Sequence, residues 1–228
     1  NRYTYSGILL QYGNKGGSFI SMERFIGFAP QYPKGDDKIV SLRGDLVDLP
    51  YALQEAQNAV GIMGGKLLLG EEATEDNFKL MANGYKIIHI AAHARVDDDN
   101  PLYSSIFFTP NAEGDEDQSL EVFELFNMDL VADLIVLSAC ETGIGEVKQG
   151  EGMISLAWGA AYAGARSVLT SLWQVNDQST SKIIEGFYTR LDKGMDKDQA
   201  LREAKLAYMS EGEHLSSHPF YWWGFILV

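Results

Sequence analysis

One cysteine and one histidine occupy positions that suit nucleophilic catalysis. Cys140 follows the apolar run at residues 134–138, and His93 follows the apolar run at residues 86–91. If both runs are neighbouring parallel strands, the two side chains meet beyond the carboxyl ends of the strands, where open α/β sheets bind their ligands. A thiolate there attacks an acyl carbon, while an imidazole receives a proton and then delivers it. These residues therefore predict a catalytic dyad.

A structural interpretation of the same two residues competes with the catalytic one. Free cysteine is among the most buried residue types, and a cysteine after a strand commonly packs as a small hydrophobe. Because the sequence contains one Cys and four His, a pairing of these residue types also arises by chance. The placement of both residues at strand ends is what favours catalysis.

Alternating strands and helices would have to position this pair. Six short runs are predicted as strands, and several are nearly all apolar, as expected of strands buried on both faces of a sheet. They are residues 66–69, 86–91, 105–108, 134–138, 167–171 and 225–228. Apolar residues at helical spacing predict helices over residues 49–63, 180–191 and 196–208. The alternation predicts an α/β layered fold with a largely parallel sheet.

The first part of the chain has a different pattern. Residues 5–12 and 18–22 flank an Asn-Lys-Gly-Gly turn and predict a β-hairpin, which a Pro- and Gly-containing loop follows. We divide the chain into residues 1–48, a hairpin and loop that belong to the domain or lead into it, and residues 49–228, the principal domain. No further boundary is evident, so a single domain is predicted.

Composition excludes several classes of protein. Of 228 residues, 46% are hydrophobic and 11% aromatic, which is too many for a disordered chain. The 18 Lys and Arg against 32 Asp and Glu give a net charge of −14. This charge argues against nucleic acid as a partner, because neutralising phosphates needs a basic surface. No apolar run approaches about 18 residues, so we expect no membrane-spanning segment and no membrane partner.

The single cysteine also limits the setting of the protein. It excludes an internal disulfide and any CxxC-type metal site. An unpaired thiol suits a reducing compartment, so we expect a cytoplasmic location. The chain starts at Asn1 without an initiator methionine or a signal peptide, and we expect it to be a piece of a longer protein.

From about Leu49 to the end, the sequence resembles the CHAT domain, a caspase-like branch of the peptidase clan that also holds separase and gingipain. The strongest matching motif is Ala-Asp-Leu-Ile-Val-Leu-Ser-Ala-Cys-Glu-Thr-Gly at residues 132–143, and His-Ile-Ala-Ala-His at residues 89–93 is another. Further matching segments, in the family's order, are residues 49–56, 70–75, 101–105, 150–152, 164–168, 171–177, 187–188 and 218–223. The resemblance covers about four fifths of the chain.

This resemblance implies a caspase-like three-layer α/β/α sandwich and a cysteine endopeptidase that needs no cofactor. His93 matches the family's catalytic histidine and Cys140 its nucleophile. The separation of 47 residues (140 − 93) is close to the ~50 found in caspases. The oxyanion hole would be formed by the backbone N–H groups of Cys140 and Ala94. The family more often has Gly after the histidine, so Ala94 brings the substrate closer to a methyl group.

Two further residues are candidates for substrate binding. The segment from Trp173 to Asp177 resembles a separase segment whose final Asp lines the pocket for an arginine before the scissile bond. A carboxylate there would select a basic side chain through a charge-assisted contact. The alternative is that Asp177, or Asn176 before it, caps the helix that follows. Trp173 would be a wall of the same crevice, or a packing residue at the end of a strand.

Metal binding is a weaker hypothesis. His89 and His93 are four residues apart, a spacing that places two side chains on one face of a strand, but further zinc ligands and the HExxH motif are missing. His89 is therefore interpreted as a hydrogen-bonded core histidine. The acidic segments at residues 97–100 and 115–117 suit calcium by composition, although they lack EF-hand spacing and suit solvated loops equally well.

The expected partners are a protein substrate and a regulatory element. By resemblance, CHAT domains follow helical repeats of the TPR type that sense a partner or a signal, and they are associated with bacterial stress or defence. Two competing functions remain: a catalytically silent interaction domain on the same fold, and a cysteine hydrolase that acts on small esters or amides.

Overall fold

The computed structural model describes residues 22–32, 49–97, 99–110, 118–138, 140–141, 151–173, 175–211 and 218–228. The strands in these ranges are β1 (Glu23–Ala29), β2 (Lys66–Leu69), β3 (Tyr85–Ile90), β4 (His93–Arg95), β5 (Ser105–Phe107), β6 (Ser119–Glu121), β7 (Leu134–Leu137), β8 (Cys140–Glu141), β9 (Val168–Ser171) and β10 (Phe225–Leu227). The helices are α1 (Pro50–Met63), α2 (Glu75–Met81), α3 (Val122–Leu125), α4 (Glu151–Tyr162), α5 (Asp177–Asp192) and α6 (Lys197–Glu211). Short 3-10 helices cover Gly70–Glu72, Ala82–Gly84, Pro101–Tyr103 and Pro219–Tyr221.

The principal sheet has six strands in the order β10-β9-β7-β3-β1-β2. All neighbours in it are parallel except β10, which runs antiparallel to β9 at the edge. The α/β class and the largely parallel sheet predicted from the sequence are therefore confirmed. Each of the six strands predicted from residue 66 onwards is present, and its ends differ from the prediction by no more than one residue.

Helices cover both faces of this sheet because its strands are apolar on both sides. In β7, Leu134 and Val136 pack into a cluster with α1, α5 and α6, whereas Ile135 and Leu137 pack into a second cluster with α2, α3 and α4. The four side chains are at most 3% exposed. This burial on both faces explains why the strand reads as a continuous apolar run. None of the helices in the described ranges has the length and apolar character of a membrane-spanning segment.

β1 is the strand of the principal sheet that the sequence pattern did not predict, and the short strands β4, β6 and β8 of the second sheet were not predicted either. β1 lies inside the principal sheet, between β2 and β3, and its last five residues are buried. Its start is charged, and Gly27 interrupts its apolar run. A Cβ at Gly27 would lie 2.8 Å from Cδ1 of Leu67 on β2, so a larger residue there would require the Leu67 side chain to move. The hairpin predicted for residues 5–12 and 18–22 lies outside the described residues, apart from Met22.

Two neighbouring strands of the principal sheet continue into a second sheet. β3 leads into β4 and β7 leads into β8, and the second sheet has the order β6-β5-β4-β8. In the first sheet His89 is in register with Val136, and in the second His93 is in register with Cys140. The offset is 47 positions in both cases (136 − 89 and 140 − 93). The parallel register of β3 and β7 is thus maintained beyond their carboxyl ends.

The turn between α4 and β9 requires a glycine at position 164. Gly164 has φ 117°, and a Cβ there would overlap the carbonyl oxygen of Leu130. Gly194, at the turn between α5 and α6, has φ 84° but no atom within 4 Å of the same Cβ position. A substitution at Gly194 would therefore cause backbone strain alone, whereas a substitution at Gly164 would cause backbone strain and steric overlap.

We expect Gly194→Ala to lower the free energy of unfolding by about 1–2 kcal/mol, through the positive φ alone. Gly164→Ala should cost at least about 2 kcal/mol more, because the methyl group also displaces the Leu130 backbone. Urea unfolding of both variants measures the difference. Equal costs for the two substitutions would contradict the steric requirement at Gly164.

Candidate active site

His93 begins β4 and lies in a buried environment around Tyr32. The histidine is 4% exposed and Tyr32 is 5% exposed. The backbone N–H of His93 donates to the Tyr32 hydroxyl oxygen at 2.9 Å, and that hydroxyl donates to the Phe107 carbonyl at 2.9 Å. The two rings also pack together, with centroids 4.8 Å apart. Tyr32 therefore links the start of β4 to β5 and holds the His93 backbone in place.

Cys140 begins β8, the strand next to β4. It is in parallel register with His93, and Glu141 is in register with Ala94. Neighbouring strands of a sheet are about 4.8 Å apart, so the two backbone positions of the predicted dyad are adjacent. Ala94 is fully buried and is also in register with Ile106 of β5. The structure thus brings together the backbone of the three residues to which the sequence assigned the dyad and the oxyanion hole.

Asp177 is the first residue of α5 and is half-buried. The N-cap of α5 is Asn176, whose side-chain oxygen accepts a hydrogen bond from the Ser179 N–H at 3.2 Å. The Asp177 carboxylate instead accepts from the Tyr51 N–H, in the first turn of α1, at 3.2 Å. It thereby joins the N-termini of two helices, where a negative charge is favourable.

The surroundings of Asp177 disfavour its ionised form. Burial is the largest influence and raises the pKa of Asp177 above its ordinary value, and the negative charge of Glu55 raises it further. The hydrogen bond from Tyr51 acts in the opposite direction and lowers the pKa, without cancelling the other two effects. Asp177 consequently loses its charge at a higher pH than an exposed aspartate does.

Trp173 follows β9 and packs against the segment before β10. Its indole N–H donates to the Phe220 carbonyl at 3.0 Å, and the two rings stack with centroids 6.2 Å apart. A Cβ on Gly224 would lie 2.9 Å from the indole. Since β9, β7 and β3 are parallel neighbours, Trp173 and Asp177 lie at the same edge of the sheet as His93 and Cys140.

The structure also contains functional candidates that sequence reasoning missed. Tyr32 lies in a stretch of Pro, Gly and polar residues, which carries no signal for a residue that contacts β4. His89 is the hydrogen-bonded core histidine that the sequence indicated. Its hydrogen-bond partner is Tyr188 of α5, and Glu55 of α1 lies 3.3 Å from its other ring nitrogen. Only their placement in the fold reveals them.

No group of three or more His, Cys, Asp or Glu side chains that could hold a metal ion occurs in the described part of the chain. Asp98 and residues 115–117 of the predicted acidic loops lie outside that part. Two surface cavities of about 500 Å³ each are lined by residues other than the dyad and its neighbours. One, lined by Lys86 and Asp133, lies at the amino-terminal edge of the sheet.

The architecture defines a class of protein: a mostly parallel α/β sheet, helices on both faces, and a histidine and a cysteine in register beyond two adjacent strands. The solved structure of gingipain R, an Arg specific cysteine proteinase, has a similar fold, with a TM-score of 0.50 and 11% sequence identity. That match covers 89% of this chain and 45% of the gingipain chain. The fold is therefore of the caspase-like type.

The CHAT domain family matches residues 29–228, and the chain belongs to that family. This chain is similar to tetratricopeptide repeat protein 28 of Mus musculus and to that of Homo sapiens, with 24% identity over 216 residues in each case. The matches cover 79% of this chain but only 8% of those two proteins. The chain thus spans a small part of the length of these relatives.

Removing the Tyr32 hydroxyl tests how the His93 backbone is held. We expect Tyr32→Phe to lower the free energy of unfolding by about 1–3 kcal/mol, because it takes a hydrogen-bond partner from two buried backbone groups. Tyr103→Phe is the matched control, since Tyr103 is 50% exposed. Urea unfolding compares the two variants. Equal stability of both would show that the Tyr32 hydroxyl does not hold β4.

Proposed function

We propose that this chain is a cysteine endopeptidase domain that cuts protein substrates at limited sites. Cys140 is the nucleophile and His93 is the general acid and base. The observation that carries this proposal is the register between β4 and β8, which aligns the two residues at the carboxyl edge of the sheet. Membership of the CHAT family and the similarity to a cysteine proteinase fold support it.

The proposed chemistry follows from the residue types. The Cys140 thiolate adds to the scissile carbonyl carbon, and the backbone N–H groups of Cys140 and Ala94 stabilise the oxyanion that forms. The imidazolium of His93 then protonates the leaving amine as the C–N bond breaks. Water hydrolyses the thioester with His93 as the base, which restores the thiol. No cofactor takes part, and a reducing compartment such as the cytoplasm keeps the thiol free.

Asp177 is the proposed determinant of a basic residue before the scissile bond, with Trp173 as a wall of the same site. Three observations support this assignment: Asp177 follows the strand next to β7, it is half-buried, and it lies at the edge of the sheet that carries the dyad. The arginine specificity of gingipain R, whose fold is similar, is consistent with it.

The proposed setting is a larger protein with helical repeats. The two curated relatives are named tetratricopeptide repeat proteins, and the region similar to this chain is a small part of each. We infer that such repeats, or a regulatory partner, control access of the protein substrate to the domain. A role in bacterial signalling or defence belongs to the same proposal.

A catalytically silent interaction domain is the second candidate, because His93 is 4% exposed and packs against Tyr32. Alkylation by iodoacetamide discriminates the two, and Cys140 is the only cysteine, so the label reports on one site. An active dyad predicts rapid native labelling that persists near pH 6, and His93→Ala should slow it about tenfold or more at that pH. Labelling in denaturant should be equal for both proteins and is the control.

The accompanying assay is cleavage of candidate protein substrates by the wild type and by Cys140→Ala. Cleavage that Cys140→Ala abolishes supports the endopeptidase. Slow native labelling, unchanged by His93→Ala and with no cleavage, would establish the silent domain instead. Turnover of small esters without cleavage of any protein would indicate the non-proteolytic hydrolase.

A peptide library that varies the residue before the cut tests the role of Asp177. We expect the wild type to prefer Arg and Lys, and Asp177→Asn to lower kcat/KM for these substrates about 10- to 100-fold, the cost of one charge-assisted contact. Asp192→Asn, which removes the same charge at the other end of α5, is the matched control and should change kcat/KM less than about twofold. An unchanged preference in Asp177→Asn would refute the assignment.

A further inference from the structure

Three polar side chains meet in the core between α1, β3 and α5. Glu55 of α1 is 1% exposed, and His89 of β3 and Tyr188 of α5 are fully buried. His89 Nδ1 lies 3.1 Å from the Tyr188 hydroxyl, and His89 Nε2 lies 3.3 Å from Glu55 Oε1. Burying polar and charged groups of this kind costs free energy, so packing alone does not explain why these three residues are in the core.

The partners determine the hydrogens on His89. Burial, and then the negative charge of Glu55, raise the pKa of Tyr188 well above its ordinary value, so the phenol keeps its hydrogen. That hydrogen is donated to His89 Nδ1, which must accept it. The single ring hydrogen is then on Nε2, which lies 3.3 Å from Glu55 Oε1 in a contact that is not a well-formed hydrogen bond. The hydrogens on His89 are thus assigned from its partners, and the negative charge of Glu55 acts on both Tyr188 and Asp177.

The charge of Glu55 is poorly compensated within the core. Neither of its carboxylate oxygens makes a well-formed hydrogen bond with the described part of the chain. The contact between Glu55 Oε1 and His89 Nε2, at 3.3 Å, therefore leaves the negative charge of Glu55 without a hydrogen-bond partner in the described part of the chain. A buried charge in this condition acts over a longer range than an exposed one, because water does not screen it.

Glu55 lies one helical turn after Tyr51, on the same face of α1. The N–H of Tyr51 is the group that binds the Asp177 carboxylate at 3.2 Å. Asp177 and Tyr188 are eleven residues apart on α5, which is three turns and again one face. The contact between α1 and α5 thus holds Asp177 at its outer end and the Glu55 cluster beneath it.

We propose that Glu55 is a positioning and specificity residue for Asp177: its buried negative charge reinforces the site at Asp177 for a cationic side chain, and His89 and Tyr188 hold it in place. The inference rests on the proposed function, since it assumes that Asp177 reads the substrate. It adds a second carboxylate to that site, one that does not contact the substrate.

The test compares Glu55→Gln with Glu185→Gln. Glu185→Gln is the matched control, because it also removes one negative charge from the α1–α5 pair. Glu185 is exposed on α5, and its carboxylate accepts a hydrogen bond from the Asn58 side-chain amide at 3.0 Å. Substrates with arginine or norleucine before the cut are assayed with both variants. We expect Glu55→Gln to lower the arginine-to-norleucine ratio of kcat/KM about 5- to 10-fold, and Glu185→Gln less than about twofold.

The pH dependence gives a readout that a structural role would not move. Recognition of arginine is lost as pH falls through the pKa of Asp177. The charge of Glu55 contributes to raising that pKa, so in Glu55→Gln the loss occurs at lower pH than in the wild type. Among the described residues, the titratable groups that interact with Glu55 are His89 on β3, and Asp177 and Tyr188 on α5.

Carbon-13 NMR of the Asp177 carboxyl group decides the inference without any catalysis. Its titration midpoint should fall in Glu55→Gln and stay unchanged in Glu185→Gln. Tyr188→Phe is the second variant in case Glu55→Gln does not fold. It removes the hydrogen donated to Nδ1, so that His89 can bind a proton and compensate Glu55, and the Asp177 midpoint should fall again.

An unchanged midpoint in the folded variants, or equal losses of kcat/KM for arginine and norleucine substrates, would overturn the inference. If the wild type cleaves nothing while the midpoint falls as expected, the proposed function fails and the electrostatic coupling of Glu55 to Asp177 stands.

Discussion

The parallel register of β3 and β7 is the constraint on which the site depends. Once His89 is aligned with Val136, each later pair with the same offset is aligned too, and His93 and Cys140 are one such pair. The register itself is determined by burial on both faces, since a shift of one residue would exchange the side chains that enter the two hydrophobic clusters. Packing in the interior thus determines the backbone geometry of the candidate site at the edge.

The surrounding elements hold this edge from several directions. Tyr32 joins the start of β4 to β5 through two hydrogen bonds, and the segment before β10 packs on Trp173. Asp177 joins the N-termini of α1 and α5. Each of these contacts links residues that are distant in the chain. The positions of the candidate site residues therefore depend on the assembled fold rather than on any one loop.

A buried polar cluster lies next to this apolar framework. Glu55, His89 and Tyr188 come from three elements. The hydrogen bond between Tyr188 and His89 requires one particular position of α5 along β3. Such a cluster contributes little to stability, because desolvation offsets its attraction. Its proposed role is electrostatic, through a carboxylate whose field reaches Asp177 with little screening.

The sequence by itself determined the elements that have a strong local pattern. Continuous apolar runs located β3, β7 and β9, helical spacing located α1, α5 and α6, and the placement of His93 and Cys140 after two such runs indicated their pairing. β1 was missed because charges and Gly27 break its short pattern. Only the tertiary structure decided that Asn176 caps α5, that Asp177 binds the start of α1, that Tyr32 contacts the start of β4, and that Glu55 lies beside His89. The physical reason is that periodicity reports burial along one element, whereas these contacts join atoms from elements that meet only in the folded chain.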